Sequence, residues 1–229
     1  MPEPIARSPI RTVRPAIVAG WEVASQAVAG RDAPGAGNSL TDLTPLAKVG
    51  VRAGVDGAMA RALSVPFGRA ARDETGVLVT GSGPGEWLVL GQVGEGRALR
   101  HRLEQTAAQA AAVQAAGGEA ARQELVSVLD LTHGRALMRL TGPAAAATLA
   151  KVCGIDLADS STPNLAAFRS SVARLVTDVV RDDQEGPAGP APSYLLHCER
   201  SYGQYLFDAL LDAGAEFGID VDGFRAPGS

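Results

Sequence analysis

The stretch Asp130–Gly154, DLTHGRALMRLTGPAAAATLAKVCG, decides how the chain is read. Its apolar run Ala136–Leu140 has the length and tight polar bounds of a strand. Thr141-Gly142-Pro143 then predicts a helix start, with Thr141 or Gly142 as the cap and Pro143 at the first helical position, where its missing N–H costs nothing. Alanines from Ala144 onward propagate the helix, Leu149 and Val152 lie three apart on one face, and Gly154 predicts a left-handed end.

The same signals occur once before. Asp42-Leu43-Thr44 precedes the strand-like run Ala47–Arg52 and Gly54, as Asp130-Leu131-Thr132 precedes Arg135–Leu140 and Gly142, with an offset of 88 residues in both cases. Self-similarity at a fixed spacing reads as an internal repeat. Asp56–Leu63 predicts the matching short helix, capped by Asp56 and closed by Pro66.

Each half continues with a hairpin and a longer helix. In the first, Val77–Thr80 and Trp87–Leu90 flank a turn at Gly81-Ser82-Gly83-Pro84-Gly85, and alanine-rich Arg97–Ala116 is a helix. In the second, the β-branched run Val172–Val180, the polar loop Asp182–Pro192 and the strand Tyr194–Cys198 precede a last helix. Ser201 with Gln204 predicts a capping box there, and Tyr202, Tyr205, Leu206, Ala209, Leu210 and Ala213 an apolar face. The expected fold is α+β: two βαββα pseudo-repeats with mostly antiparallel sheets and helices on one face. The expected divisions are an arm and linker at 1–39, a first unit at 40–122, a second at 123–223 and a tail at 224–229.

At 229 residues and 46% hydrophobic, the chain is long enough to bury about 70% of its unfolded surface. Its net charge of −4 comes from interspersed residues, which excludes a nucleic-acid footprint or a basic membrane patch. Two tryptophans and three tyrosines are too few for a base-stacking platform. No window reaches the roughly 20 apolar residues of a membrane span, and the run Ala16–Ala19 behind Arg7, Arg11 and Arg14 is too short for an export signal. Two distant cysteines without a CxxC partner fit a reduced, cytoplasmic setting. Prolines at 2, 4, 9 and 15 disfavour helix in the arm, and Arg31–Ser39 reads as a linker. The apolar residues Ile5, Ile10, Ile17, Val18 and Trp21 either pack on the chain's own core or reach a partner chain.

A search for chemistry finds structural roles. Gly81–Gly85 lacks GxGxxG and GK[ST] and is followed by a strand, so it reads as a hairpin turn. His101, His133 and His197 have no second histidine or cysteine at a ligand spacing. His133 beside Asp130 is a conceivable base and orienter without a visible pocket. Ser127 and Ser201 lack a nucleophile elbow. Cys153 and Cys198 read as inert small hydrophobes, and Asp182-Asp183 as solvated loop acids. No catalytic, cofactor-binding or metal-binding residue is therefore assigned.

The runs VLDLTHGRALMRLTGPAAAATLAKVCGIDL (128–157), Arg174–Asp178 and YLLHCERSYGQYLFDALLDAGAEFG (194–218), with DLTPLAKVGVRAG (42–54), GPGEWLVLG (83–91) and Arg7-Ser8-Pro9, resemble the gamma subunit of heterotetrameric sarcosine oxidase. That family is related in fold to the glycine-cleavage aminomethyltransferases. The resemblance implies a non-catalytic structural subunit partnered by alpha, beta and delta chains, with FAD, FMN, NAD and zinc held by those partners. The complex would oxidise sarcosine with oxygen to glycine and hydrogen peroxide, passing the one-carbon unit to tetrahydrofolate. A stand-alone tetrahydrofolate-binding aminomethyltransferase-like protein is the competing expectation, with Asp130 and Asp156 as candidate acids facing a pocket. A homo-oligomeric scaffold is a third.

Overall fold

A computed structural model describes residues 5–11, 14–24, 37–116, 124–186 and 189–224. Most of the expected linker 31–39 and of the tail 224–229 lies outside these residues. In chain order the arm forms β1 (Ala6–Arg7), β2 (Pro15–Val18) and β3 (Trp21–Ala24). There follow β4 (Asn38–Asp42), β5 (Leu46–Arg52), α1 (Ala58–Leu63), β6 (Ala70–Arg72), β7 (Leu78–Gly83), β8 (Glu86–Val93), α2 (Gly96–Ala116) and β9 (Ser127–Asp130). The second repeat supplies β10 (Arg135–Thr141), α3 (Ala145–Ala150), β11 (Ala167–Val172), β12 (Leu175–Arg181) and the small hairpin β13 (Gln184–Gly186) and β14 (Gly189–Ala191). It ends with β15 (Ser193–Glu199), a 3-10 turn, α4 (Gly203–Gly214), a second 3-10 turn and β16 (Ile219–Asp222).

Two compact units result, Leu46–Thr132 and the discontinuous set Met1–Pro45 with His133–Ser229. The first of these holds a sheet ordered β6-β7-β8-β5-β9, and the discontinuous unit a sheet ordered β11-β12-β15-β10-β4-β16. The boundaries differ from the expected 40 and 123 because the strand ahead of each repeat does not pair within that repeat. β4 pairs antiparallel with β10, and β9 antiparallel with β5.

The duplicated Asp-Leu-Thr is the device that ends these strands. Asp42 Oδ1 accepts the Thr44 N–H and Asp130 Oδ1 the Thr132 N–H, both at 2.9 Å, closing Asx turns. Each threonine hydroxyl then meets an inner strand of its sheet: Thr44 Oγ1 bonds the backbone of Leu137, and Thr132 Oγ1 accepts the Lys48 N–H at 3.1 Å. Both hydroxyls are buried, so these bonds satisfy groups that water cannot reach.

In the discontinuous unit, Leu40, Met138, Leu140 and Leu196 form one sheet face against Leu149, Leu206 and Leu210 of the helices. In the other, Val49, Val51 and Val89 pack against Met59, Leu99 and Leu103. The arm adds a small β1-β3-β2 sheet whose Trp21 and Val23 are buried, and Ile10 enters the core with the helices. The arm thus packs on its own chain.

Local capping differs from expectation. α3 starts at Ala145 with Ala144 as its cap residue, one step after Pro143, and the cap acceptor is Asn38, whose Oδ1 takes the Ala144 N–H at 2.8 Å. α1 is capped by Glu124, whose carboxylate takes the N–H groups of Gly54 at 3.0 Å and Met59 at 3.1 Å; Asp56 makes no cap. The helix after Ala144 ends at Ala150 with right-handed Lys151, and Gly154 has no positive φ. Ser201 lies in the 3-10 turn, α4 has no side-chain cap, and its buried face runs through Leu206, Phe207 and Leu210 with Tyr202 and Tyr205 outward. Replacing Glu124 by alanine removes the α1 cap at Met59 together with the bond to Gly54 ahead of the helix, and is expected to cost about 1 kcal/mol, measured as a shift in urea midpoint.

The run Val172–Val180 is a hairpin, β11 and β12 joined at Ala173-Arg174, with φ of +47° and +67°. Two positive φ values are usual for Asn-Gly, and here they fall on residues that carry a Cβ penalty. Arg174→Gly is therefore expected to leave the turn intact and offset strain of about 1 kcal/mol, read as a higher melting temperature.

Candidate functional site

Several residues singled out in the sequence have local jobs, while His101 and Ser201 are exposed. Asp130 is exposed and closes the Asx turn. Asp156 is likewise exposed; its carboxylate accepts from the Ser161 hydroxyl at 2.6 Å and the Ala158 N–H at 3.0 Å, and these bonds hold it below the usual carboxylate range. His133 stacks face to face on Trp21, with ring centroids 4.8 Å apart. Ser127 lies in β9 opposite Arg52. Cys153 is buried beside Val172, and burial pushes the Cys198 thiol up to about 11, which makes it a poor nucleophile. Gly81–Gly85 divides between β7 and a tight turn at Pro84-Gly85.

Asp182 and Asp183 are not solvated loop acids. Asp182 is buried and its Oδ2 lies 2.7 Å from Arg139 Nη2, while Asp183 bonds Arg181 at 3.0 and 3.1 Å. Arg139 also donates to the Asp182 carbonyl and to Ser193 Oγ, so its fork is held in one plane. Bonding to Asp183, against the cost of burial, raises the pKa of Arg181 further and fixes it as a cation.

A third polar row escaped the sequence. Register places Arg169, Asp178 and His197 side by side across β11, β12 and β15. Arg169 Nε donates to Asp178 Oδ1 at 2.6 Å, and His197 Nδ1 lies 3.2 Å from Asp178 Oδ2. The carboxylate can only accept, so the imidazole donates through Nδ1. Burial pushes Asp178 up, but bonds from His197 and Arg169 outweigh it and leave the carboxyl below its ordinary value. The row is graded from exposed Arg169 to buried His197, and Leu137 is the next residue beyond the histidine. It joins three strands and orients an imidazole, without a nucleophile in the row.

Because the folded pKa of Asp178 is depressed, its stabilisation is complete above the unfolded value near 3.8 and is lost as pH falls through the folded value. The stability difference between wild type and Asp178→Asn should therefore narrow as pH drops from about 5 downward. Urea midpoints across that range check it, and a constant difference would contradict it.

Two concavities lie on the Leu46–Thr132 unit. An open groove of about 620 Å³ is lined by Val55, Ser64, Pro66, Phe67, Pro84 and Trp87. A crevice of about 470 Å³ is lined by Arg97, Arg100, His101, Glu104 and Asp130. The aspartates among these linings, Asp56 in the groove and Asp130 in the crevice, are both exposed. Among the described residues no three of His, Cys, Asp and Glu converge as a metal site, and no helix is long and apolar enough to cross a membrane.

These mostly antiparallel sheets with few helices are those of an α+β chain of aminomethyltransferase-like fold. A model of the GCVT N-terminal domain matches residues 89–229, more than half of the chain. The chain belongs to that family. Among solved structures it is similar to a chain of the heterotetrameric sarcosine oxidase from Corynebacterium sp. U-96, crystallised with pyrrole 2-carboxylate. That likeness has a TM-score of 0.59 and 26% identity, over 79% of this chain and 85% of that one. The glycine cleavage system aminomethyltransferase T from Bartonella henselae matches with a TM-score of 0.60 and 16% identity, over 93% of this chain and 60% of that one. At that identity the second likeness shows the fold alone. No curated protein matches.

Proposed function

We propose that the chain is a non-catalytic, interface-forming subunit of a cytoplasmic, flavin-dependent sarcosine oxidase-like complex. Its partners on this reading are alpha, beta and delta chains, which hold FAD, FMN, NAD and zinc. The complex oxidatively demethylates sarcosine to glycine with release of hydrogen peroxide, and the one-carbon unit passes to tetrahydrofolate. The observation that carries the reading is the nearly coextensive likeness to one chain of a heterotetrameric sarcosine oxidase, 79% of this chain against 85% of that one. It is supported by the side chains themselves, since Asp156, Cys198, Asp182 and Asp183 are all engaged in turns, core or ion pairs.

Family membership favours a second reading, a stand-alone tetrahydrofolate-binding aminomethyltransferase-like protein. Calorimetric titration of the isolated chain with tetrahydrofolate separates the two. Absence of heat and of a thermal shift is expected for the subunit; saturable heat lost on Asp130→Ala or Asp156→Ala would favour the folate protein.

A further inference from the structure

The arm and the first turn of α4 share one surface. Pro9 packs on Gly203 so closely that a Cβ there would lie 2.6 Å from Pro9 Cγ. The Arg11 N–H donates to Gln204 Oε1 at 2.6 Å, and Arg200 Nη2 donates to the Arg7 carbonyl. The arm is thus held through buried Ile10, its backbone and a proline ring, which leaves its arginine heads outward: the Arg7 side chain is 74% exposed and Arg11 is exposed.

Tyr202 and Tyr205 stand beside these contacts, 50% and 52% exposed. The Tyr205 hydroxyl donates to the Ala173 carbonyl at 3.2 Å, which joins the surface to the β11–β12 hairpin and its exposed Arg174. Ile5, 53% exposed, lies two residues before Arg7.

The charge of this face differs from that of the chain. It presents Arg7, Arg11 and Arg174 against two acids, Glu22 and Asp208, with Arg200 turned inward so that its Nη1 is buried, whereas the whole chain is −4. Glu22 lies 3.4 Å from Arg7, and Asp208 accepts from Gln204. Glu199 at the margin is held by Arg135 at 2.6 Å. Half-exposed tyrosines among arginines are the composition of binding hot spots, and a local positive field selects an acidic counterpart.

We propose that the face formed by the arm, the start of α4 and the β11–β12 hairpin docks onto an acidic protein surface of the flavin-bearing partner. This rests on the complex reading above. The test is the affinity of the tagged full chain for the flavoprotein with which it co-purifies. Tyr202→Ala and Tyr205→Ala should each weaken binding about 30-fold. Tyr205→Phe, which keeps the ring, should bind as the wild type. Arg11→Glu should weaken binding at low salt, with the loss shrinking as salt rises. Melting temperatures within about 3 °C of wild type show that a loss is not unfolding.

Patch variants that bind as tightly as wild type overturn the docking face alone. Loss that instead follows Phe67→Ala, at the groove of the Leu46–Thr132 unit, overturns it too. A wild-type chain that holds no flavoprotein removes the complex reading, and this inference with it.

Discussion

Replacing Gly142 by alanine is expected to destabilise the chain by about 3 kcal/mol, through backbone strain and overpacking together. Gly142 has a φ of +130°, a region that side-chain-bearing residues rarely adopt. An added Cβ would lie 2.4 Å from the Gly37 carbonyl oxygen and 2.6 Å from Asn38 Cα, both backbone atoms of the segment that opens β4. Those atoms cannot yield without moving Asn38, whose side chain caps α3. Strain and cap loss are therefore coupled, and the fall in melting temperature should reach about 6–12 °C for a chain of this size. Gly154→Ala is the control. Its Cβ would meet open space and its φ is not positive, so the change should stay within about 0.5 kcal/mol.

The second large effect is expected at Asp182. Its side chain is 5% exposed and faces Arg139, itself 16% exposed, at 2.7 Å. Truncation to alanine strands a buried guanidinium, and losses of about 3–5 kcal/mol follow from breaking such a pair. The joint replacement Arg139→Met with Asp182→Leu should recover more than half of that, because it removes both charges instead of isolating one. The surface pair Arg52–Glu86, with the arginine 72% exposed, gives the contrast: Glu86→Ala should cost less than about 1 kcal/mol. Chemical denaturation of the three variants decides it, and equal losses at Asp182 and Glu86 would contradict the buried-pair account.

What the sequence made legible was what local pattern controls. The apolar run Ala136–Leu140, the alanine-rich helix and the duplicated Asp-Leu-Thr all stand where expected, because periodicity and Asx-turn chemistry act within a few residues. The caps were not legible. Asn38 reaches Ala144 across 106 residues and Glu124 reaches Met59 across 65, so no neighbouring residue announces either. For the same reason the repeat's period was visible while the pairing of β4 with β10 and β9 with β5 was not. The β11–β12 hairpin was hidden because Ala173-Arg174 carries no glycine or asparagine at its positive-φ positions.

The polar groups divide similarly. Exposed Asp130 and Asp156 behave as turn residues, as their sequence contexts allow. Asp182-Asp183 reads as loop by composition, yet Asp182 meets Arg139, which lies 43 residues away and is brought near only by the fold, while Asp183 closes on Arg181 two residues back. His197 and Asp178 are 19 residues apart and face each other only through strand register, which no ligand-type spacing reveals. On α4, tyrosines at helical spacing count as apolar in a periodicity argument, although burial selects Leu206, Phe207 and Leu210 and leaves Tyr202 and Tyr205 for another use.

The central claim is that this chain works as one subunit of an assembly. Sedimentation of the full chain, co-expressed with the reading frames beside its own and followed by visible flavin absorbance, tests it most directly. The account predicts that the chain sediments with the flavin at the mass of a multi-chain complex. A chain that sediments alone as a monodisperse monomer, with all flavin absorbance elsewhere in the gradient, would contradict it.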